Sequence, residues 1–220
     1  MRLLREAKSR GVPISGEACC HHFTLTDAAI AGSEKFWAAD GKEIFGYHDG
    51  GYARPSWPSY DTHFKMNPPL REAVDRDAML QGIADGSVDV IATDHAPHHY
   101  DEKHVEFDQA PFGITGLETA VSLCFDRLVH AGVISLSRLI ELLSVNPARV
   151  INVPGGTLSE GAPADVSLLL PDLQVTVSAA SMRSKSKNTP FDGWSLRGGV
   201  GATIVGGRVV YVNGNANLAL

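Results

Sequence analysis

The 220-residue sequence predicts an α/β fold that passes into a small all-β unit near residue 153. Two helix-then-strand passages, whose strands end near Ala18 and at Asp94, carry the α/β part. A change to short β-type runs after "NVPGG" (152–156) carries the rest. With 44% apolar residues, a chain of this length has enough material for a core.

Taken in order, "MRLLREAKSRG" reads as a helix, with Leu4 and Ala7 on one side, charges elsewhere and Gly11 as its stop. "VPISGEA" (12–18) follows as a short strand. Residues 26–39 read as a helix with Thr26 or Asp27 available as cap. Residues 40–61 show neither period, and the prolines within them mark an inserted loop at about 40–60. Helical spacing returns from Asp75 to Ala84 and stops at Gly86, after which "VDVIATD" reads as a strand presenting Asp94 at its carboxyl end. Positions 117, 120, 121, 124, 125 and 128 fit one helical face, and Ser135 caps a further helix through Leu143. "DVSLLL", "LQVTV" and "GATIVGGRVVYV" are the β-type runs.

The net charge is −6, and the only basic run is Arg183–Lys187, so nucleic acid is not an expected partner. Three cysteines, an odd count that includes the adjacent pair Cys19–Cys20, suit a reducing, cytoplasmic setting. No apolar run reaches the ~18 residues of a membrane span, and no membrane association is expected.

"ATDHAPHH" (92–99) gathers Asp94, His95, His98 and His99 at a strand end. In parallel α/β proteins catalytic groups converge there, although Asp94 can equally cap the following turn. The histidines can be ligands, substrate contacts or plain loop residues. His21–His22 also follows a predicted strand, where alternation points at most one of the two rings at a site. Asn67 precedes two prolines that fix an extended backbone, which can aim its amide at a ligand or simply turn a corner. "APFGITG" (110–116) offers backbone N–H groups to a carboxylate or phosphate, or is merely the start of a helix.

Taken together, "KMNPPLR" (65–71), "ATDHAPHH", "APFGITGLET" (110–119), "SVNPARV" (144–150) and "SKSKNTPFDGW" (184–194) resemble the dihydroorotases of the amidohydrolase superfamily, over Arg2 to about Gly214. The likeness is to the bacterial type. It implies the C-terminal part of a TIM-type (β/α)8 metal-dependent hydrolase barrel over 1–152, with a β-sandwich segment over 153–220 that acts as scaffold. It further implies that Asp94 binds metal and carries the proton, that His98 meets the substrate carboxylate, and that Asn67 and the backbone at Phe112–Gly113 complete substrate binding. The implied reaction is the reversible cyclisation of N-carbamoyl-L-aspartate to dihydroorotate, with zinc as the cofactor, binuclear in the complete enzyme.

The chain departs from that pattern in two ways. It contains no His-x-His, and Cys19–Cys20 stands where the family shows Thr-Pro or similar. Since a (β/α)8 barrel takes roughly 250 residues, the expectation is a C-terminal half. Its other metal ligands would belong to an N-terminal half, and alone it would neither retain zinc nor turn over substrate. Alternative readings are a non-catalytic dihydroorotase-like partner of aspartate transcarbamoylase, or another cyclic amidohydrolase such as a dihydropyrimidinase or allantoinase. A homo-oligomer is compatible with each.

Overall fold

A computed structural model of the chain describes residues 1–40 and 51–215. The expected insertion at 40–60 therefore lies partly outside the described residues. The first helix, α1 (Arg2–Ser9), ends at Gly11, whose φ of +72° lets its N–H donate back to the Lys8 carbonyl at 2.9 Å. α1 buries no residue of its own and is held by charge. Lys8 Nζ sits 2.6 Å from both oxygens of Asp89, and Arg5 reaches Asp85 at 2.7 Å. Asp89 also accepts the Gly16 N–H at 2.8 Å, which sets the chain beside the strand that begins at Val90.

The strand expected over 12–18 shrinks to β1 (Glu17–Cys19), because the chain turns directly into α2 (Cys20–Thr24). The helix expected over 26–39 is broken. A 3-10 turn (Asp27–Ala29) precedes α3 (Ser33–Ala39), with Gly32 between them at φ +100°. A Cβ at Gly32 would come within 3.2 Å of the Ser59 backbone nitrogen, so the break doubles as a close approach to the 51–60 segment. α4 (Ala73–Ala84) leads into β2 (Val90–Ala92), which pairs in parallel with β1 in the register Glu17↔Val90, Ala18↔Ile91 and Cys19↔Ala92. Buried Arg76 of α4 donates to Asp40 at 3.0 Å, and Thr26 donates to the same carboxylate, so these buried charges are matched.

After the short α5 (Tyr100–Lys103) comes α6 (Ala120–Cys124), which widens into a π-helical stretch through His130. α7 (Leu136–Ile140) begins at Ser135, whose hydroxyl accepts the Arg138 N–H at 3.2 Å as the sequence predicts. It does not stop at Leu143. A π-turn (Glu141–Val145) carries the helix into α8 (Asn146–Val150), placing Pro147 at the start of a fresh α-segment, where its missing N–H is harmless.

The C-terminal part is one antiparallel sheet, β3 (Val166–Thr176), β4 (Ser195–Val205) and β5 (Arg208–Val212), in the order β3-β4-β5. No second sheet faces it among the described residues, so the structure shows one sheet of the expected sandwich segment. The expected strands "DVSLLL" and "LQVTV" are one strand interrupted by an irregularity between Leu170 and Gln174, where Pro171 cannot donate to the ladder. β4 and β5 turn at Gly206–Gly207, both at positive φ. The β1–β2 pair is the only parallel sheet among the described residues, which show no closed barrel.

The core runs from Phe23 and Ile83 through Leu123, Phe125 and Leu128 to Leu196. An aromatic cluster joins its parts: Trp194, fully buried, lies 5.3 Å from Trp37, 6.0 Å from Phe36 and 5.4 Å from Phe191, and Trp57 stacks on Phe64 at 4.8 Å. No helix among the described residues is long and apolar enough to cross a membrane.

Two expected outcomes follow from the way β4 packs on the helix behind it. At Gly198 (φ +105°) a Cβ would lie 2.3 Å from the Cβ of Phe125. Gly198→Ala should therefore lower stability by about 1–3 kcal/mol or more through overpacking, read as a lower urea midpoint. Beside it, buried Asp126 accepts the Arg197 N–H at 3.2 Å, and burial pushes its carboxyl from 3.8 up to about 6 against the pull of that bond and of Arg127 and Arg197. The folded state thus holds this proton more tightly than the unfolded chain. Stability from this group is complete below pH ~4 and is lost as pH rises through about 6, a trend Asp126→Asn should remove from the unfolding free energy measured across that range.

Candidate active site

Parallel pairing of β1 with β2 sets two chain segments side by side at their carboxyl ends, Cys19–His22 and Thr93–His98. Asp94 leaves β2 in a left-handed conformation (φ +49°), which aspartate tolerates better than most residues, and its side chain is exposed. Its negative charge is felt across the pair: together with burial it pushes the Cys19 thiol up, and it opposes the downward push of burial on His22.

The alternation argument for His21–His22 fails here for a physical reason. The strand ends at Cys19 and both histidines lie in α2, where successive side chains no longer point to opposite faces. Their rings meet edge to face with centroids 4.3 Å apart. One ligand atom from each of Cys19, His21 and His22 can be chosen so that all three lie within 4.8 Å of one another. Nε2 of His21 and Nε2 of His22 are buried with no hydrogen-bond partner among the described residues. Burial, reinforced by His22, pushes His21 down to about 3, so its ring is neutral at any ordinary pH and free to act as a ligand. Burial is also the main reason the Cys19 thiol rises to about 12, followed by Asp94, Cys20 and Glu17. Unpartnered nitrogens beside a thiol and a carboxylate fit a zinc-class ion. The resemblance gives Asp94 as the only metal ligand in this chain, and Cys19, His21 and His22 form a separate group of possible ligands.

His98, Phe112 and Gly113 are brought together. His98 Nε2 is 2.9 Å from the Phe112 carbonyl and Nδ1 is 3.3 Å from Glu102. The Gly113 N–H donates to the Lys65 carbonyl at 3.0 Å, which draws the Asn67 segment to the same place. Asn67 itself is exposed, and its peptide bond to Pro68 is cis. A cavity of about 180 Å³ lies where that segment meets α2, lined by His22, Pro68, Pro69 and Leu70 among others.

Most N–H groups of the 110–117 loop serve the fold. Gly116 donates to Nδ1 of His95 at 3.1 Å, Leu117 to the same atom at 3.5 Å, and Thr115 to the Asn188 carbonyl at 2.9 Å. The Phe112 N–H makes no hydrogen bond among the described residues. His95 is therefore a loop-closing residue. His99 begins α5 by accepting the Asp101 N–H at 3.3 Å. Lys103 is buried and donates to the Thr62 carbonyl at 3.0 Å and the Pro111 carbonyl at 2.8 Å, fixing the residue before Phe112. Burial, then Lys65, holds its amine down at about 8 against the pull of Asp61.

The residue that sequence reasoning missed is Asn188. It is 3% exposed. Its Nδ2 donates to the carbonyls of Ala96 at 2.9 Å and Gly113 at 3.2 Å, and its Oδ1 accepts the His98 N–H at 3.2 Å. Close by, Glu118 accepts the N–H groups of Arg183 and Ser184, both at 2.9 Å. Asn188 lies inside "SKSKNTPFDGW", which was read only as part of a resemblance, and a buried amide of this kind carries no local signal. The C-terminal segment supplies no group to Asp94 through Lys187, whose Nζ donates instead to the Met182 and Ser184 carbonyls. A larger cavity of about 940 Å³ opens beside this network, lined by Trp57, His98, Lys103, Lys187 and Asn188 among others, though Asp94 and Asn67 do not line it.

The chain is 49% identical over 210 residues to a dihydroorotase of Pelotomaculum thermopropionicum (strain DSM 13744 / JCM 10971 / SI), covering 96% of this chain and 43% of that protein. It is 45% identical over 213 residues to a dihydroorotase of Geobacter sp. (strain M21), covering 97% and 44%. The chain thus spans less than half the length of these curated relatives. Among solved structures, an L-hydantoinase (dihydropyrimidinase) from Arthrobacter aurescens superposes with a TM-score of 0.79 at 26% identity, over 99% of this chain and 43% of that one. The amidohydrolase family pattern matches residues 57–210, from the aromatic 51–60 segment to β5, and the chain belongs to the amidohydrolase family.

Proposed function

We propose that this chain carries one side of the active site of a metal-dependent cyclic amide hydrolase, and that the reaction is that of a dihydroorotase. The observation that carries the reading is that the loop leaving β2 after Asp94 brings His98 within 2.9 Å of the Phe112 carbonyl, in a chain 49% identical to a dihydroorotase. The hydantoinase likeness, at 26% identity, supports the fold and the broader class. Non-catalytic partnership with aspartate transcarbamoylase is the weaker reading, because a scaffold has no chemical use for a strained strand-end carboxylate. Residues 1–152 fit the closing part of a (β/α)8 barrel, two parallel strands with helices around them, and 153–220 its sheet-forming companion.

In the hydrolytic direction water adds to the ring amide carbonyl, the C–N bond breaks and the nitrogen leaves with a proton. Asp94 takes the proton from the attacking water and returns it to the departing nitrogen. Its exposed position at the strand end leaves both oxygens accessible for that exchange. The substrate is anionic in both directions, and the Phe112 N–H, a ring N–H of His98 and the Asn67 amide are donors for its carboxylates. A zinc ion, held by Asp94 together with ligands from the N-terminal portion that this chain does not match, would polarise the carbonyl and acidify water.

The test is turnover of dihydroorotate and N-carbamoyl aspartate by this chain, and by this chain completed with the N-terminal portion of the Pelotomaculum relative that it does not match. Activity is expected only in the completed form, since the sequence contains no His-x-His. In that form Asp94→Asn should lower kcat at least a thousandfold with the fold intact, whereas His98→Ala should act first on KM. Turnover by Asp94→Asn within tenfold of the parent would reject the reading.

A further inference from the structure

We infer that Lys103, the last residue of α5, is a positioning residue that sets the affinity for the substrate carboxylate by tying the segment that leads to Asn67 to the loop that carries Phe112 and Gly113. Its role rests on the proposed function, which assigns substrate binding to those two places, and adds the group that holds them in register.

Four bonds make the tie. On one side, Thr62–Phe64 form a 3-10 turn that Asp61 caps by accepting the His63 N–H at 2.9 Å. The Thr62 carbonyl closes that turn on the Lys65 N–H at 3.1 Å, and it also accepts a bond from Lys103 Nζ at 3.0 Å. The Thr62 hydroxyl donates back to the Lys103 carbonyl at 2.6 Å, so both ends of the lysine are fixed to one turn. On the other side, the same Nζ donates to the Pro111 carbonyl at 2.8 Å. The Gly113 N–H then completes the join by donating to the Lys65 carbonyl at 3.0 Å.

These bonds matter because neither substrate-facing residue is placed by its own burial: Asn67 and Phe112 are both exposed. The turn behind Asn67 is anchored, since Phe64 is buried and stacks on Trp57 at 4.8 Å. Lys103, itself buried, carries that anchorage across to the residue before Phe112. With burial holding its amine at about 8, the charged form offers three N–H donors and the neutral form two, so both carbonyls are served on either side of that value. Because Nζ is committed to two carbonyls, Lys103 acts through the loops and leaves the chemical step to Asp94. A slip between the loops would weaken the hold on a carboxylate in ground and transition state alike, which is read in KM and not in kcat.

The test uses this chain completed with the N-terminal portion of the Pelotomaculum relative, as parent and as Lys103→Met, which keeps the apolar stem and removes the donors. KM for dihydroorotate and for N-carbamoyl aspartate should rise at least about tenfold while kcat stays within about threefold. Amide exchange on the same proteins should show the Gly113 N–H losing protection in Lys103→Met, while the Thr115 N–H, which donates to the Asn188 carbonyl, keeps its own. Thr62→Val, which preserves shape and removes only the hydroxyl bond to Lys103, should raise KM about two- to threefold with kcat unchanged. It decides the matter alone if Lys103→Met does not fold. An unchanged KM overturns the assignment. So does a kcat that falls as far as KM rises, or a loss of protection that spreads to Thr115 and the β3–β4–β5 ladder, since either marks a general structural role. Should the completed parent not turn over dihydroorotate, the proposed reaction fails, and the Gly113 and Thr115 amides still decide whether Lys103 ties the loops.

Discussion

The arrangement of the site rests on one side-chain amide. Asn188 satisfies two carbonyls and one N–H from loops 75 and 90–92 residues away, and its own carbonyl accepts a fourth bond from Thr115. The bond to Gly113 is buried and those to Ala96 and His98 are part-buried, and an unmade buried hydrogen bond costs about 1–3 kcal/mol. Loss of the amide would therefore strand several groups at once. β1 and β2 pair over only three residues each, so they cannot by themselves hold the long loop that follows Ala92. The loop is held from the other side, by Asn188 on Ala96 and His98, by His95 on Gly116, and by Lys103 on Pro111.

That dependence gives the C-terminal part a second role. Its sheet packs on the helix behind β4 through Gly198, and the segment leading into the sheet reaches back over the loops that carry His98 and Phe112. Trp194, six residues after Asn188, anchors the same segment among Trp37, Phe36 and Phe191. The part expected to be scaffold is scaffold in a specific sense: through Asn188 it ties the loop that carries His98 to the loop that carries Phe112 and Gly113. Across the strand ends, a different environment prevails. Burial keeps His21 neutral and leaves its nitrogen unpaired, while Asp94 remains exposed.

Much of this was legible in the sequence where the signal was local. Asp94 just past a strand end, the Ser135 cap and the buried positions Ala120, Cys124, Phe125 and Leu128 follow from spacing and capping rules, although Leu117 of the same expected face is exposed. Misreadings arose where distant contacts decided the outcome. The helix over 26–39 breaks at Gly32 because the 51–60 segment presses against it, and the pattern within 26–39 holds no trace of that neighbour. Strand alternation does not govern His21 and His22, because β1 ends at Cys19. "DVSLLL" and "LQVTV" read as separate runs, yet an irregularity between Leu170 and Gln174 carries β3 through Pro171. Asn188 was invisible for the same reason: all its side-chain partners lie at least 75 residues away.

Amide hydrogen exchange on Asn188→Ala tests the central claim most directly. If Asn188 is the tie between the loops, the N–H groups of Ala96, His98, Gly113 and Thr115 should lose protection together, while those of the β3–β4–β5 ladder keep theirs. Retained protection at His98 and Thr115 in the variant, or a uniform loss across the whole chain, would contradict it.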